Sequence, residues 1–306
     1  MSVSASASDK RILPAHCAIL LANLAWGLMS PVSKDILLTG KISPLALSGL
    51  RISGGALLFL LFSFILPDSV RARQPIGKRD RLSLIICSIL MISANQGLFI
   101  MGIGFTNPVD SSVMSAMTPI LTMILAAIFL KFPITWMKGI GVAVGLAGVV
   151  ALVGDSRQSE AASNPLLGNA MCLTAQLCAA IYYVVFRGMI MRYSPFVMMK
   201  WMFIISALTY VPFCIPDMCD VDYSSLPSEI WIELGYIICF ATFLSYLCIP
   251  FSQKYLKPTM VSMYNYLQPV TAAIAAVSLG VGEFGWVKGI ATLMIFLGVY
   301  FVNRSR

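Results

Sequence analysis

The chain has 306 residues, of which 58% are hydrophobic and only 11% charged, and its formal net charge is +8. Soluble domains carry charge on about a quarter of their residues, so this composition excludes an ordinary soluble fold. The positive balance invites a nucleic-acid reading, which the placement of the basic residues then removes.

Taken in order, Met1 to Asp9 is a polar, Ser-rich tail. The Lys10-Arg11 pair precedes an apolar span without a small-residue cleavage site behind it, so no cleavable signal peptide is expected. Ten apolar spans follow, at 14–33, 44–66, 82–104, 109–130, 134–153, 166–187, 195–215, 231–252, 259–280 and 285–302. Each approaches the length that a bilayer core of about 30 Å demands of a helix. Proline, glycine or charge breaks them, as in Pro67 to Arg81, Asp155 to Pro165 and Pro216 to Pro227. Short joints such as Thr106 to Pro108 and Lys131 to Ile134 suit tight antiparallel hairpins. A barrel would need alternating segments of about ten residues, and none is present. The pattern predicts an all-α integral membrane protein of ten transmembrane helices.

Basic residues set the orientation. With the N-terminus cytoplasmic, most fall on the inner side, among them Lys10, Arg11, Arg71, Arg73, Lys78, Arg79, Arg81, Arg192, Lys254, Lys257, Arg304 and Arg306. The outer side then holds only Lys34, Lys41, Arg157 and Lys288. Both termini are expected in the cytoplasm. Topology accounts for the charge, and the expected partner is the lipid bilayer with no nucleic acid.

Asn107 to Leu152 recurs 150 positions later as Lys257 to Val302 (107 + 150 = 257). Pro108/Pro258, Pro119/Pro269, Trp136/Trp286, Lys138/Lys288, Gly139/Gly289 and Gly148/Gly298 align without a gap. Asn23, Lys34 and Ser43-Pro44 recur more loosely as Gln176, Arg187 and Ser194-Pro195. The chain thus divides into repeats at 1–154 and 155–306. Five spans per half is an odd number, so the second half is expected to enter the membrane upside down. Inverted repeats of this kind build many secondary transporters, whose sites lie near the midplane between the halves.

In these residues the chain resembles the drug/metabolite transporter superfamily, specifically its EamA-like ten-helix members. The resemblance rests on Trp26-Gly27 with Pro31 and Lys34, on Leu50-Arg51, on Ser112 to Pro119 with its copy Ser262 to Pro269, and on the closing Trp-x-Lys-Gly of each half. It implies a bacterial inner-membrane carrier that moves small metabolites, often amino acids and often outward, by alternating access. Family members usually carry a glutamate after the fourth span, where this chain has Lys131-Phe132-Pro133; only the second copy keeps one, Glu283. The alternatives are a multidrug exporter of lipophilic cations and, more distantly, a membrane enzyme. No enzyme, metal or cofactor constellation emerges, since His16 is the only histidine and neither HExxH nor GxSxG occurs.

Polar groups within spans mark either a site or a helix contact. Asn23, Trp26 and Ser30 share a face of the first span, and Gln176, Ala180 and Tyr183 share one of the sixth. Asn95-Gln96 lies in the third span, with Ser245-Tyr246 as its counterpart in the eighth. Pro119 and Pro269 each remove an N–H and so free the carbonyls of Ser115 and Asn265. Where the first copy has Met114, Ser115, Ala116 and Thr118, the second has Tyr264, Asn265, Tyr266 and Gln268. The ninth span is therefore expected to supply most of the selectivity. The expected substrate-binding set is Asn23, Trp26, Asn95, Gln96, Gln176, Tyr183, Tyr264, Asn265 and Gln268. Arg51, two turns into the second span, is read as structural, and Lys34 and Arg187 as snorkelling anchors. No acid lies at mid-depth, which leaves Glu233 as the one proton-coupling candidate.

Three further signals carry little. Gly280-x-Gly282-x-x-Gly285 matches a dinucleotide pattern but follows no strand. Gly141-x-x-x-Gly145 suits close helix packing and leaves a homodimer open. Asn303-Arg-Ser would be a cytoplasmic, hence idle, glycosylation sequon. Of the eight cysteines, only Cys214 and Cys219 are placed to pair across a loop.

Overall fold

The computed structural model describes residues 3–65, 76–106, 108–155, 163–278 and, in the last stretch, 286, 289–290, 293–294, 297–298 and 300–301. Glu283, the Gly280 to Gly285 pattern, Lys288, Arg71, Arg73, Arg157, the Asn303 sequon and the basic residues Arg304 and Arg306 lie outside the described residues. Every regular element among the described residues is helical.

The first helix, α1 (Val3–Leu38), contains Pro14 and Pro31. It is followed by α2 (Pro44–Ile65). Next comes α3, which is α-helical over Lys78–Cys87 and Asn95–Phe105 and π-helical over Ser88–Ala94 between them. The fourth, α4, is split into Pro108–Ala116 and Thr118–Phe129. Then follow α5 (Trp136–Asp155), α6 (Pro165–Val185) and α7 (Pro195–Cys219). A second π-helical stretch, Cys239–Leu244, interrupts α8 between Ser228–Ile238 and Ser245–Tyr255. In α9 a 3-10 turn at Tyr264–Tyr266 separates Pro258–Met263 from Leu267–Ser278.

Among the described residues, six helices are long and apolar enough to cross a membrane: Arg11–Leu38, Pro44–Ile65, Lys78–Phe105, Leu166–Val185, Pro195–Cys219 and Ser228–Tyr255. Their starts follow local chemistry. Asn164 accepts the N–H of Leu167 at 3.2 Å ahead of Pro165, and Ser43 accepts that of Ala46 at 3.0 Å ahead of Pro44. Both satisfy N-terminal donors that lipid would leave bare, and proline at the first position loses nothing there. Where the family's glutamate is missing, Lys131 takes a φ of 53° and the N–H of Phe132 turns back to the carbonyl of Ala126 at 3.2 Å. That left-handed residue ends α4 without a carboxylate.

The core is made by helices that meet in pairs. α2 lies along α7, α3 along α6, α1 along α8 and α9, and α4 against both α6 and α9. Glycines allow the closest approaches. A Cβ on Gly102 would stand 2.8 Å from the carbonyl oxygen of Gly168, and one on Gly27 would stand 3.0 Å from that of Gln268.

Three expectations change. The Ser115 carbonyl that Pro119 releases is not free, because the Thr118 hydroxyl donates to it at 2.6 Å. Cys214 and Cys219 are both free thiols on α7, which extends through the expected loop. Five residues along a helix place them on different faces, at about 140° to one another. The Gly141-x-x-x-Gly145 face is occupied within the chain, since Gly298 sits against the Gly141 carbonyl and the Gly145 backbone, and Tyr266 against Gly145.

Leucine at Gly102 drives a side chain into the α6 backbone. We expect Gly102→Leu to lose about 1–3 kcal/mol, the range for overpacked cores, read as a lower melting temperature in detergent.

Candidate functional site

Near the middle of the bundle, α1, α2, α3, α4, α6, α8 and α9 converge on a cavity. Its wall comprises Trp26, Met29, Arg51, Met91, Asn95, Gln96, Phe99, Ser115, Gln176, Ala179, Tyr183, Tyr246 and Gln268. No aspartate or glutamate is among them. The walls stand close, leaving room for only a few water molecules.

The two π-helical stretches carry the site. A π-turn shifts the backbone register and leaves carbonyls for outside donors, and such turns recur at functional positions. In α8 the carbonyl of Ala241 accepts the Trp26 indole N–H at 2.7 Å and an Nη2 N–H of Arg51 at 3.3 Å. At the matching place in α3 (241 − 150 = 91), the carbonyl of Met91 accepts the Tyr246 hydroxyl at 3.3 Å. Tyr246 also reaches Asn95 Oδ1 at 3.3 Å, and Asn95 Nδ2 donates to the Ala175 carbonyl at 2.8 Å.

Of the nine candidates, six line the cavity: Trp26, Asn95, Gln96, Gln176, Tyr183 and Gln268. Gln176 accepts from the Thr118 hydroxyl at 2.9 Å and donates to Ser115 Oγ at 3.3 Å. Gln268 Nε2 donates to Asn23 Oδ1 at 2.9 Å, so Asn23 stands behind Gln268, outside the lining. Asn265 is buried away from the cavity. Tyr264 pairs its hydroxyl with His16 Nδ1 at 2.6 Å, also away from the cavity. Of the α9 cluster only Gln268 reaches the lining, so the geometry does not single out α9 as the main source of selectivity. The helix breaks are at Met117, two residues before Pro119, and at Tyr264–Tyr266, three residues before Pro269.

Seven lining residues stand outside the expected set, and two of them bear on recognition. Tyr246 is one, and its position opposite Gln96 in the repeat was the available signal. Arg51 is the other. Read as structural from its depth, it is 2% exposed and donates through Nε to Thr242 Oγ1 at 2.8 Å. It faces the cavity as well as holding α2 to α8.

Lys34 and Arg187 do more than snorkel. Lys34 Nζ donates to the carbonyls of Ile103 and Thr106 at 3.1 and 2.9 Å, capping the end of α3. Arg187 Nη1 does the same for α8 through the Leu256 carbonyl at 3.2 Å. Glu233 does not line the cavity.

The family model described as the EamA-like transporter family matches this chain twice, over residues 13–154 and 166–304. The chain belongs to the EamA-like transporter family. As a member of that family, within the drug/metabolite transporter superfamily, it is a multi-pass membrane protein in a lipid environment. Among its relatives is the uncharacterized transporter YyaM of Bacillus subtilis, 23% identical over 261 residues, or 85% of this chain and 84% of the relative. An uncharacterized transporter of Archaeoglobus fulgidus is 25% identical over 268 residues, 87% of this chain and 90% of that one. A crystal structure superposes with a TM-score of 0.74 at 18% identity, covering 94% of this chain and 96% of the other. At that identity the likeness shows the fold alone.

Replacing Asn23 by leucine removes the acceptor for the Gln268 amide and leaves a buried donor without a partner. We expect Asn23→Leu to cost about 1–3 kcal/mol, measured by thermal unfolding in detergent, while Tyr264→Phe leaves any substrate affinity unchanged.

Proposed function

We propose that the protein is a secondary transporter of small polar metabolites, working by alternating access through the central cavity between two inverted five-helix repeats. The observation that carries this reading is a polar cavity at the meeting point of both halves, with walls too close to admit a metabolite at rest. Three correspondences support the division into two repeats, and an odd number of spans in each would invert the second. The family model matches each half separately. π-Turns fall at matched places in α3 and α8. Lys34 caps α3 and Arg187 caps α8, so the repeat partners make the same contact in the two halves. Such halves rock about a fixed site in known inverted-repeat carriers.

Amino-acid-like metabolites are the proposed cargo, with export from a bacterial cytoplasm across the inner membrane as the proposed direction. Amides at Asn95, Gln96, Gln176 and Gln268 suit polar groups, while Trp26, Phe99 and Tyr183 offer an apolar wall. A lipophilic-cation exporter finds no support in this cavity, whose lining holds an arginine and no acid. Without a titrating carboxylate in the lining, exchange or facilitated flux is the proposed mode, with no gradient required.

Two measurements test this. Counterflow in proteoliposomes loaded with labelled amino acids is expected to proceed without a pH gradient, and strict dependence on the gradient would contradict the proposed mode. Cys219 is exposed at the end of α7, on the side assigned as outer. A membrane-impermeant maleimide added to intact cells is expected to label a variant that keeps only Cys219; labelling solely in inverted vesicles would reverse the orientation.

A further inference from the structure

Arg51 is a buried cation with no anion beside it among the described residues. Its guanidinium carries five N–H donors, of which Nε and Nη2 hold Thr242 and Ala241 and no other hydrogen bond is made. Among the described residues the recorded ion pair joins Arg192 to Asp80, at 3.0 Å and at the surface. A buried charge lacking a partner costs several kcal/mol, and proteins retain one where a ligand supplies the counter-charge. A second group in the same wall is also unsatisfied. Gln96 is 1% exposed, and neither its Nε2 nor its Oε1 has a hydrogen-bond partner. Buried amides are almost always bonded, so an orphan lining a cavity points to an absent ligand.

Resting on the carrier reading above, we propose that this cavity recognises a single carboxylate group, with Arg51 as its anchor and Gln96 reading the polar substituent beside it. A guanidinium fork matches the two oxygens of a carboxylate, and such charge-assisted pairs are about twice as strong as neutral ones. One arginine balances one charge. A phosphate dianion would leave a second charge buried without a partner, and an amine lacking a carboxylate would bring Arg51 a second cation and no anion. The cargo class is therefore small 2-substituted monocarboxylates, including 2-amino, 2-hydroxy and 2-oxo acids, with an apolar side chain against Trp26 and Phe99.

The test is titration calorimetry and thermal unfolding of the purified full chain in detergent. Its probes share one branched apolar side chain: the 2-amino, 2-hydroxy and 2-oxo acids, the carboxamide, the amine and a phosphate monoester. Carboxylates are expected to bind and raise the melting temperature, and the other three to do neither. Arg51→Gln should abolish carboxylate binding. Because Arg51 also ties α2 to α8, Arg51→Lys is the control: it keeps the charge, loses the fork, and should weaken binding about tenfold to a hundredfold. Gln96→Met is the sharper probe. Gln96 lies near the Tyr246 hydroxyl but makes no well-formed hydrogen bond, so the melting temperature should stay or rise while discrimination among the 2-substituents falls. The proposal is overturned if no carboxylate binds, if the amine, carboxamide or phosphate ester binds as well, or if Arg51→Lys binds like the native protein. Counterflow separates the two readings. Flux of non-carboxylates without carboxylate binding removes this proposal and leaves the carrier, whereas carboxylate binding without flux keeps the site and removes the carrier.

Discussion

One backbone carbonyl, that of Ala241, ties three helices together. It accepts the Trp26 indole from α1 and an Arg51 N–H from α2, and it belongs to α8. In lipid every backbone polar group must find a partner inside the protein, so an ordinary helix has no carbonyl to offer. The π-turn at Cys239–Leu244 provides one, and the cavity forms where its side-chain donors gather. The turn at Ser88–Ala94 works alike, with the Met91 carbonyl taking Tyr246 and the Ser88 carbonyl taking Ser206 at 2.9 Å. Each charge-neutral bond contributes about 1 kcal/mol net, but leaving its acceptor bare in the bundle would cost more. Register, and with it the direction in which Gln96 and Tyr246 point, follows from these two turns.

Close helix approach is the second condition. Gly27 lets α1 meet α9 at Gln268 and Thr271, which brings Asn23 to the Gln268 amide. Gly102 and Gly168 do the same for α3 and α6, and Asn95 then reaches the Ala175 carbonyl. Small residues here set side-chain hydrogen bonds as much as packing, as expected in membrane bundles where apolar burial alone gives no net drive.

Hydropathy and the 150-residue repeat made the helical fold and much of the wall legible, because both are written in residue type and spacing. Trp26, Gln176 and Tyr183 followed from helical faces and repeat partners. The π-turns left no such mark: SILMISA and CFATFL read as ordinary apolar helix, and their carbonyl chemistry depends on backbone register. For the same reason Arg51 read as a structural residue, since nothing in its neighbourhood announces the carbonyl it holds or the cavity it faces. The α9 cluster divides for a different reason. Tyr264, Asn265 and Gln268 look alike as polar residues in a span, yet a 3-10 turn at Tyr264–Tyr266 changes the angle between successive side chains and sends only Gln268 into the lining. The carbonyl released by Pro119 was legible, and the Thr118 hydroxyl one residue before it was the overlooked acceptor's partner.

The two copies share backbone devices but not side chains, and this asymmetry has a consequence for recognition. Ala179 faces the cavity where the first copy has Trp26, and Tyr246 where it has Gln96. The counterpart of Arg51 by the Ser43/Ser194 spacing is Met202 (51 + 151 = 202), a fully buried apolar residue. Positive charge therefore lies on one side of the pseudo-symmetric cavity only, toward α2 and α8. A cargo with one charged end would bind in a single orientation, its polar end held there. On the carrier reading proposed above, similar backbone frames on both sides would let the halves move in similar ways, while unlike side chains would hold the cargo to one of them. Symmetry of the frame would then serve the motion, and its absence in the lining would serve selectivity.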